Sequence, residues 1–381
     1  MRKKLLLVLG GVFFAFLIGE VAARVILPLL PDPPDTPFIG DDACMYRLRP
    51  SAPGRYPEDH DDHVNEYGFR DRNYPLTKPT GSYRVLGLGD SFVYGAVSTR
   101  DNFLRVAERT LDDGTDILLM GVPGWSTENE LGVLEDFGLG LEPDLVIVNF
   151  FVGNDVTGIP VRGRVIRGNI YPTTSPLPVR NLLRKSQLFV MFESLVLRGM
   201  MKQLKDDETQ AHTGETESDQ VSELYLKIVP HNLPVFSREP DKRTAALWVE
   251  AESYLNRIDE VCRAVRVPWM LVVIPDEMQV DPVVRSQVLE GLGLSWENYD
   301  FDAPQRRLND WARKHDIPVL DLLPVMRAEH DPAARLYVPN DTHWNKRGNF
   351  VAGQAVAEAI SNMKHLRTRS RLLPGRQTAG D

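Results

Sequence analysis

Cysteine is almost absent from this 381-residue chain: there are two, Cys44 and Cys262. That pair supplies no thiolate metal site and at most one disulfide, so cross-links cannot be what holds the fold. A disulfide between them stays open, the other reading being two separate thiols, one of them buried. A clustered positive surface is also missing. The formal net charge is -9, and nucleic-acid phosphates need the opposite. The basic run "RTRSR" (Arg367–Arg371) reads as a solvated tail. There is no internal repeat. Long apolar runs are missing too, with one exception at the start of the chain.

That exception is "LLLVLGGVFFAFLIG", the uncharged residues Leu5 to Gly19 after "MRKK". Fifteen residues make about 22 Å of helix, less than the roughly 30 Å of a hydrocarbon layer, so residues 20 to 30, with "VILPLL", must help it to span. Two readings follow: an uncleaved signal anchor, or a signal peptide cut near Val21-Ala22-Ala23. Glu20 and the continuing apolar residues weaken the second. Either way the positive end stays in the cytoplasm and the body of the chain is exported.

What is present is a core-forming composition, 43% hydrophobic, enough for one elaborated domain. Residues 31 to 79 are rich in proline, aspartate and glycine and read as a linker with an irregular lead-in. Within it, "HDDH" (His60 to His63) reads as solvated surface without further ligands. From residue 80 strands and helices alternate. "YRVLGLG", "DILLMGV" and "PDLVIVNFFVG" read as strands, with Asp101 capping a helix at 102 to 111 and Thr127 to Glu130 spaced as a capping box. Residues 157 to 242 interrupt the pattern with a helical stretch, a polar run and irregular sequence. Then come a helix near 243 to 265, the strand "PWMLVVIP", a helix near 304 to 314, the strand "IPVLDL" and a helix from Lys346 to Met363. The alternation predicts an α/β fold with a parallel sheet and right-handed crossovers.

In such sheets the ligand crevice lies at the carboxyl ends of the strands. The first strand ends in Gly-Asp90-Ser91, which on its own is either a displayed nucleophile or a serine capping the next helix. The second runs into "GVPGWST", placing Gly124 where backbone can approach a ligand closely. The third runs into "FVGNDV", placing Asn154 where its amide can donate. Together these form a candidate oxyanion hole around a carbonyl attacked by Ser91. A hydroxyl needs a base, and "VPNDTHWNKRGN" places Asp341 and His343 in a loop before the last helix. An aspartate two residues earlier can accept from Nδ1–H and leave Nε2 for Ser91. The other histidines have no nearby partner.

These four blocks resemble the SGNH, or GDSL-like, hydrolase superfamily of serine esterases and acyltransferases, over roughly residues 64 to 160 and 244 to 362. The resemblance implies a three-layer α/β/α sandwich with a flavodoxin-like parallel sheet, preceded here by a transmembrane or signal helix. It makes Ser91 the nucleophile, His343 and Asp341 its partners, and Ser91, Gly124 and Asn154 the oxyanion donors, with Asp90 supporting and with neither cofactor nor metal. The lead-in "VNEYGFRD" looks like the segment preceding the first block in exported members. Two positions depart from the common pattern. The first block is "GDSF", and the last is Asp-x-His with Asn340 at the usual aspartate position, a D-x-H-W form similar to that of alginate-type O-acetyltransferases.

The expected organisation is therefore 1–30 anchor or signal peptide, 31–79 linker, 80–365 hydrolase-like domain with an insertion at about 157–242, and 366–381 polar tail. The expected activity is ester hydrolysis, with a carbohydrate O-acetyl ester as one candidate substrate, in the periplasm at the membrane or secreted. The alternatives are an O-acyltransferase with a membrane acyl-transfer partner, and a catalytically silent carbohydrate-binding protein. A nucleotide-binding reading of "GLGDS" fails, because the third glycine and the acidic ribose partner are missing.

Overall fold

The computed structural model describes residues 2–26, 29, 37–53, 62–159, 163–166, 169–172, 178–193 and 220–372. His60 and most of the polar run lie outside them. The chain divides into two units: Met1–Tyr46 with Arg162–Ser218, and Arg47–Val161 with Asp219–Asp381.

The second unit is built on five parallel strands: β1 (Tyr83–Gly89), β2 (Thr115–Gly121), β3 (Leu145–Phe151), β4 (Trp269–Ile274) and β5 (Val319–Asp321), in the order β2-β1-β3-β4-β5. This is the flavodoxin-like order, with a topological switch point beside β1. Both faces are covered, which is why β4 is apolar throughout and β3 is apolar but for the buried Asn149. Side chains alternate across a strand. Val85, Ile117, Leu119, Leu145, Ile147 and Met270 pack in one cluster with Phe103 and Ala107 of the helix Phe103–Leu111 and with Ala352 and Val356 of the helix Lys346–Leu372. The residues between them face the other way, where the Phe150 ring stacks on Trp248 of the helix Lys242–Ala264 at 6.4 Å. The α/β class and the layering read from the sequence are those of the structure.

Several local expectations are corrected. Asn102, not Asp101, caps the helix after β1, its Oδ1 accepting from Leu104 N–H at 2.9 Å. The capping box after β2 sits one residue earlier, at Ser126, whose N–H donates to Asn129 Oδ1 at 3.0 Å. The last helix runs to Leu372, through the stretch read as a polar tail. Asp62 of "HDDH" is not solvated but fully buried, bonded to Arg70 and, at 2.7 Å, to Thr99 Oγ1. A paired carboxylate tolerates burial, and composition alone does not reveal its partner. No disulfide joins Cys44 and Cys262, and both are buried.

In the first unit the helix Arg2–Ile26 meets a segment whose described part consists of two short helices, Pro178–Leu183 and 187–193. The single helical stretch expected there is broken at 184–186.

Candidate functional site

Strand register places the three blocks side by side. Gly89 at the end of β1 pairs with Gly121 on β2 and with Asn149 on β3. Ser91, Gly124 and Asn154 lie two, three and five residues beyond these positions. The strand carrying the serine therefore runs between the strands carrying the other two groups. The glycines make the approach feasible. A Cβ on Gly121 would sit 2.7 Å from Tyr94 N, on the short helix Ser91–Tyr94, so any larger residue pushes the serine turn away. Gly124 has φ +80°, a backbone that L-residues avoid.

Asp90 caps the serine turn, its Oδ1 accepting from Phe92 N–H at 2.8 Å. A second grip comes from the lead-in. The buried Arg70 donates from Nη1 to Tyr94 O at 2.9 Å and Gly95 O at 2.7 Å, and from Nη2 to Val97 O at 2.8 Å. Asp71 next to it bonds Arg105 and accepts from Leu119 N–H of β2 at 2.9 Å. "VNEYGFRD" is thus a clamp on the serine turn and the neighbouring strand.

The histidine arrives from far along the chain. Val338 N–H donates to His343 O at 2.9 Å and Asp341 N–H to Val338 O at 3.0 Å, closing a tight loop before the last helix. Trp344 anchors this loop, its ring 4.9 Å from Phe92 and 5.5 Å from Phe103. His343 Nε2 then lies 2.7 Å from Ser91 Oγ, and Nδ1 lies 2.5 Å from Asp341 Oδ1. Asp341 Oδ1 also accepts from His343 N–H at 3.1 Å, which fixes the ring orientation. Asn340 points elsewhere: with φ +58°, its Oδ1 accepts from Ser222 N–H at 2.6 Å. Ser91, His343 and Asp341 thus form a continuous chain from hydroxyl to imidazole to carboxylate.

Asn154 Nδ2 donates to Trp125 O at 3.1 Å. That bond uses one of its two amide hydrogens and aims the group from β3 across to the β2 loop.

Beneath the serine turn are three fully buried carboxyls: Asp90, Glu130 and Asp155. Burial raises the pKa of all three. Repulsion from Asp90 raises Glu130 further, and repulsion from Glu130 and Asp90 raises Asp155. The Phe92 N–H, the His343 imidazole and the Asn154 amide pull Asp90 back down without reversing its shift. Asp155 Oδ2 accepts from Phe151 N–H at 2.7 Å, fixing the turn that presents Asn154. Asp90 Oδ2, both Glu130 oxygens, Asp155 Oδ1 and Thr127 Oγ1 are buried without a hydrogen-bond partner. Such surroundings disfavour the charged form of each carboxyl. Sequence reading gave Glu130 only a place in a capping box and singled out neither Asp155 nor the buried Arg70–Asp62 pair. Asp155 stands next to Asn154 in "GNDV", but nothing in the letters distinguishes a buried acid from an exposed one.

Residues 284–373 match the family model described as SGNH hydrolase-like domain, acetyltransferase AlgX. The matched stretch contains Asp341, His343 and Trp344, and the resemblance drawn from the sequence blocks to the SGNH hydrolase superfamily stands. No curated protein sequence matches. Similar solved structures include an acetyl xylan esterase, AlAXEase (13% identity, 73% of this chain and 99% of that one, TM-score 0.40). A lipase/acylhydrolase from Enterococcus faecalis (12%, 74% and 96%, 0.35) is also similar. A third is a carbohydrate acetylesterase family member from Sinorhizobium meliloti (15%, 74% and 98%, 0.34).

Proposed function

We propose that this protein is a serine-dependent ester hydrolase that works through an acyl-enzyme on Ser91. The observation that carries this reading is the 2.7 Å approach of His343 Nε2 to Ser91 Oγ, with Asp341 on the other ring nitrogen. Ser91 Oγ attacks the ester carbonyl as its proton passes to His343 Nε2. The carbonyl electron pair becomes an oxyanion that accepts hydrogen bonds from the Ser91 N–H, the Gly124 N–H and the Asn154 amide. Collapse expels the alcohol, which takes the proton from His343. Water then repeats the sequence on the acyl-enzyme, giving the free acid and restoring Ser91. Asp341 holds the imidazole in the tautomer that leaves Nε2 free and stabilises the imidazolium. Every proton and electron pair in this cycle is handled by side chains, backbone or water, so no cofactor enters it.

One observation favours a second reading. The matched family model is that of an acetyltransferase, and a sugar hydroxyl in place of water would turn the same acyl-enzyme into an O-acetyltransferase with an extracytoplasmic polysaccharide as acceptor. Such an enzyme needs an acyl donor delivered across the membrane by a partner. A carbohydrate O-acetyl ester is the substrate class common to both readings.

We also propose that the N-terminal helix is a single-pass anchor with the catalytic part outside the cytoplasmic membrane. Its window Leu9–Ile26 has mean hydropathy 1.9, follows "MRKK" and is almost entirely uncovered by protein. The domain boundaries are proposed as read: anchor 1–30, linker 31–79, hydrolase-like domain 80–365 with an insertion at about 157–242, and 366–381 beyond it.

The test is intact-mass spectrometry and nitrophenolate release with p-nitrophenyl acetate, on the full chain and its Ser91→Ala variant. An acetyl adduct or steady release that vanishes in the variant supports the acyl-enzyme. Equal activity in both excludes it. Added oligosaccharide acceptors that become acetylated move the assignment from hydrolase to transferase.

A further inference from the structure

The N-terminal helix changes character along its length. From Leu9 to Ile18 it is bare, with large apolar side chains such as Phe13 (69% exposed) and Phe14 (62%). From Gly19 onward it is in contact with residues 185–188. A Cβ on Gly19 would meet Leu188 Cδ1 at 2.9 Å. Glu20 accepts three hydrogen bonds from this segment: Ser186 Oγ at 2.7 Å, Gln187 N–H at 2.9 Å and Leu188 N–H at 3.1 Å. Arg24 closes the arrangement, donating from Nε to Glu20 at 2.7 Å and from Nη2 to Lys185 O at 2.9 Å. The connector between the two short helices is tied to the second of them, since Arg184 forks onto both Glu193 oxygens at 2.8 and 3.1 Å. The acidic residue that interrupts the apolar N-terminus thus has a specific use. It caps the first backbone amides of the 187–193 helix, a role that cutting the chain near Ala23 would remove.

The helices held by this clamp are apolar on their outside. Val179 is 68% exposed, Leu182 66% and Phe192 65%, with Leu183 also exposed. Phe192 follows Leu188 by four residues and so shares the helix face that meets the N-terminal helix. Lys3 and Glu20 are seventeen residues apart, about 26 Å along a helix. That is close to the hydrocarbon thickness of about 30 Å, and lysines at the inner end can snorkel to make up the difference. A spanning helix therefore delivers Glu20, Arg24 and the two short helices to the far interface, where exposed Lys185 meets lipid phosphates.

We infer that helices Pro178–Leu183 and 187–193 form a membrane-contacting collar, pinned to the span by Glu20 and Arg24. Leu182, Leu183 and Phe192 sit in the boundary between headgroups and acyl chains of a phospholipid bilayer. The inference rests on the anchor reading above and adds to it a lipid-binding surface within the insertion, continuous with the span.

The test uses the full chain in phosphatidylcholine–phosphatidylglycerol vesicles, with an environment-sensitive fluorophore at Leu182→Cys or Phe192→Cys. Val249→Cys, exposed on the helix Lys242–Ala264, serves as reference, and the native Cys44 and Cys262 are buried. Burial of about 5–10 Å into the boundary region predicts quenching at 182 and 192 about twofold stronger by lipids spin-labelled near the headgroup than by lipids labelled mid-chain. The reference position stays unquenched. The mass of the same sample reports whether residues 1–23 are retained. Retained helix with quenched labels supports the collar. Retained helix with labels in water overturns it, leaves the anchor intact and points to a protein partner for this face. A mass lacking the first residues overturns both.

Discussion

At the scale of residues, the site distinguishes two neighbours that the sequence leaves in competition. Asp341 bonds the imidazole, whereas Asn340 bonds Ser222 N–H. Asp341→Ala should lower kcat by about 10²- to 10⁴-fold with the fold intact, as loss of the carboxylate in a triad does. Asn340→Ala should leave kcat within about threefold and cost about 1 kcal/mol of stability, because alanine dislikes the left-handed backbone at that position. Steady-state kinetics and thermal melts of the two variants check both statements, and the reverse order of effects would reassign the base's partner. Ser91→Ala and His343→Ala should each remove about six orders of magnitude of turnover. Asp155 acts at one remove, through the turn that carries Asn154. Asp155→Asn keeps an acceptor for Phe151 N–H and should retain most activity. Asp155→Ala should lower kcat by about tenfold or more with little change in KM, the pattern of a loss felt in the transition state.

At the scale of elements, the serine turn is only four residues of helix, Ser91–Tyr94, too short to be stable alone. It is held from one side by the glycines at the strand ends and from the other by Arg70. Arg70→Ala would leave Asp62 charged and buried without its main partner, and should cost about 3–5 kcal/mol in denaturant melts. Replacing both members, as Arg70→Met with Asp62→Leu, should recover part of that stability without recovering all activity, because the three carbonyls of the turn still lose their donor. The last helix is the other element on which the site depends. Gly353 lets it approach the helix Phe103–Leu111 so closely that a Cβ there would sit 2.7 Å from Phe103 O, and Asn349 Oδ1 accepts from Phe103 N–H at 3.0 Å. This docking beside the helix that follows β1 swings the His343 loop over the end of β1.

At the scale of the whole molecule, buried acids set the response to pH. Burial raises Asp90, Glu130, Asp155, Asp276 and Asp321, and raises Glu277 to about 8 from 4.5. A group whose folded pKa is raised keeps its proton on folding, so its stability contribution is whole below the unfolded value and is lost as pH rises through the folded one. For Glu277 the window runs from about pH 4.5 to about 8. Asp113 and Asp300 are lowered by their partners and act in the opposite sense under acid. Melting temperature should therefore fall from about pH 5 to pH 9. Glu277→Gln, which still accepts from the Tyr225 hydroxyl now bonded at 2.9 Å, should flatten that fall and melt higher than the parent at pH 9. Parallel profiles for the two proteins would mean that Glu277 is ionised in the fold.

Much of this was legible in the letters. Mainly apolar runs located β1 to β4, because a strand covered on both faces leaves few positions for a polar side chain, and the shorter run Val319–Asp321 located β5. Ser91, Gly124, Asn154, Asp341 and His343 could be picked out as candidates because a serine hydroxyl needs a base, the base a carboxylate and an oxyanion its donors. Cap positions slipped by one residue, since Ser, Thr, Asp and Asn all qualify and only the local backbone chooses among them. Three things were decided by tertiary structure alone: the burial of Asp62, Glu130 and Asp155, the engagement of Glu20 with residues 186–188, and the meeting of Ser91 with His343, 252 residues along the chain. Sequence fixes which groups are available and the local turns that display them. Which groups meet, and which acids lose their water, depends on how helices dock across the sheet, and that docking arises from packing between residues far apart in the chain.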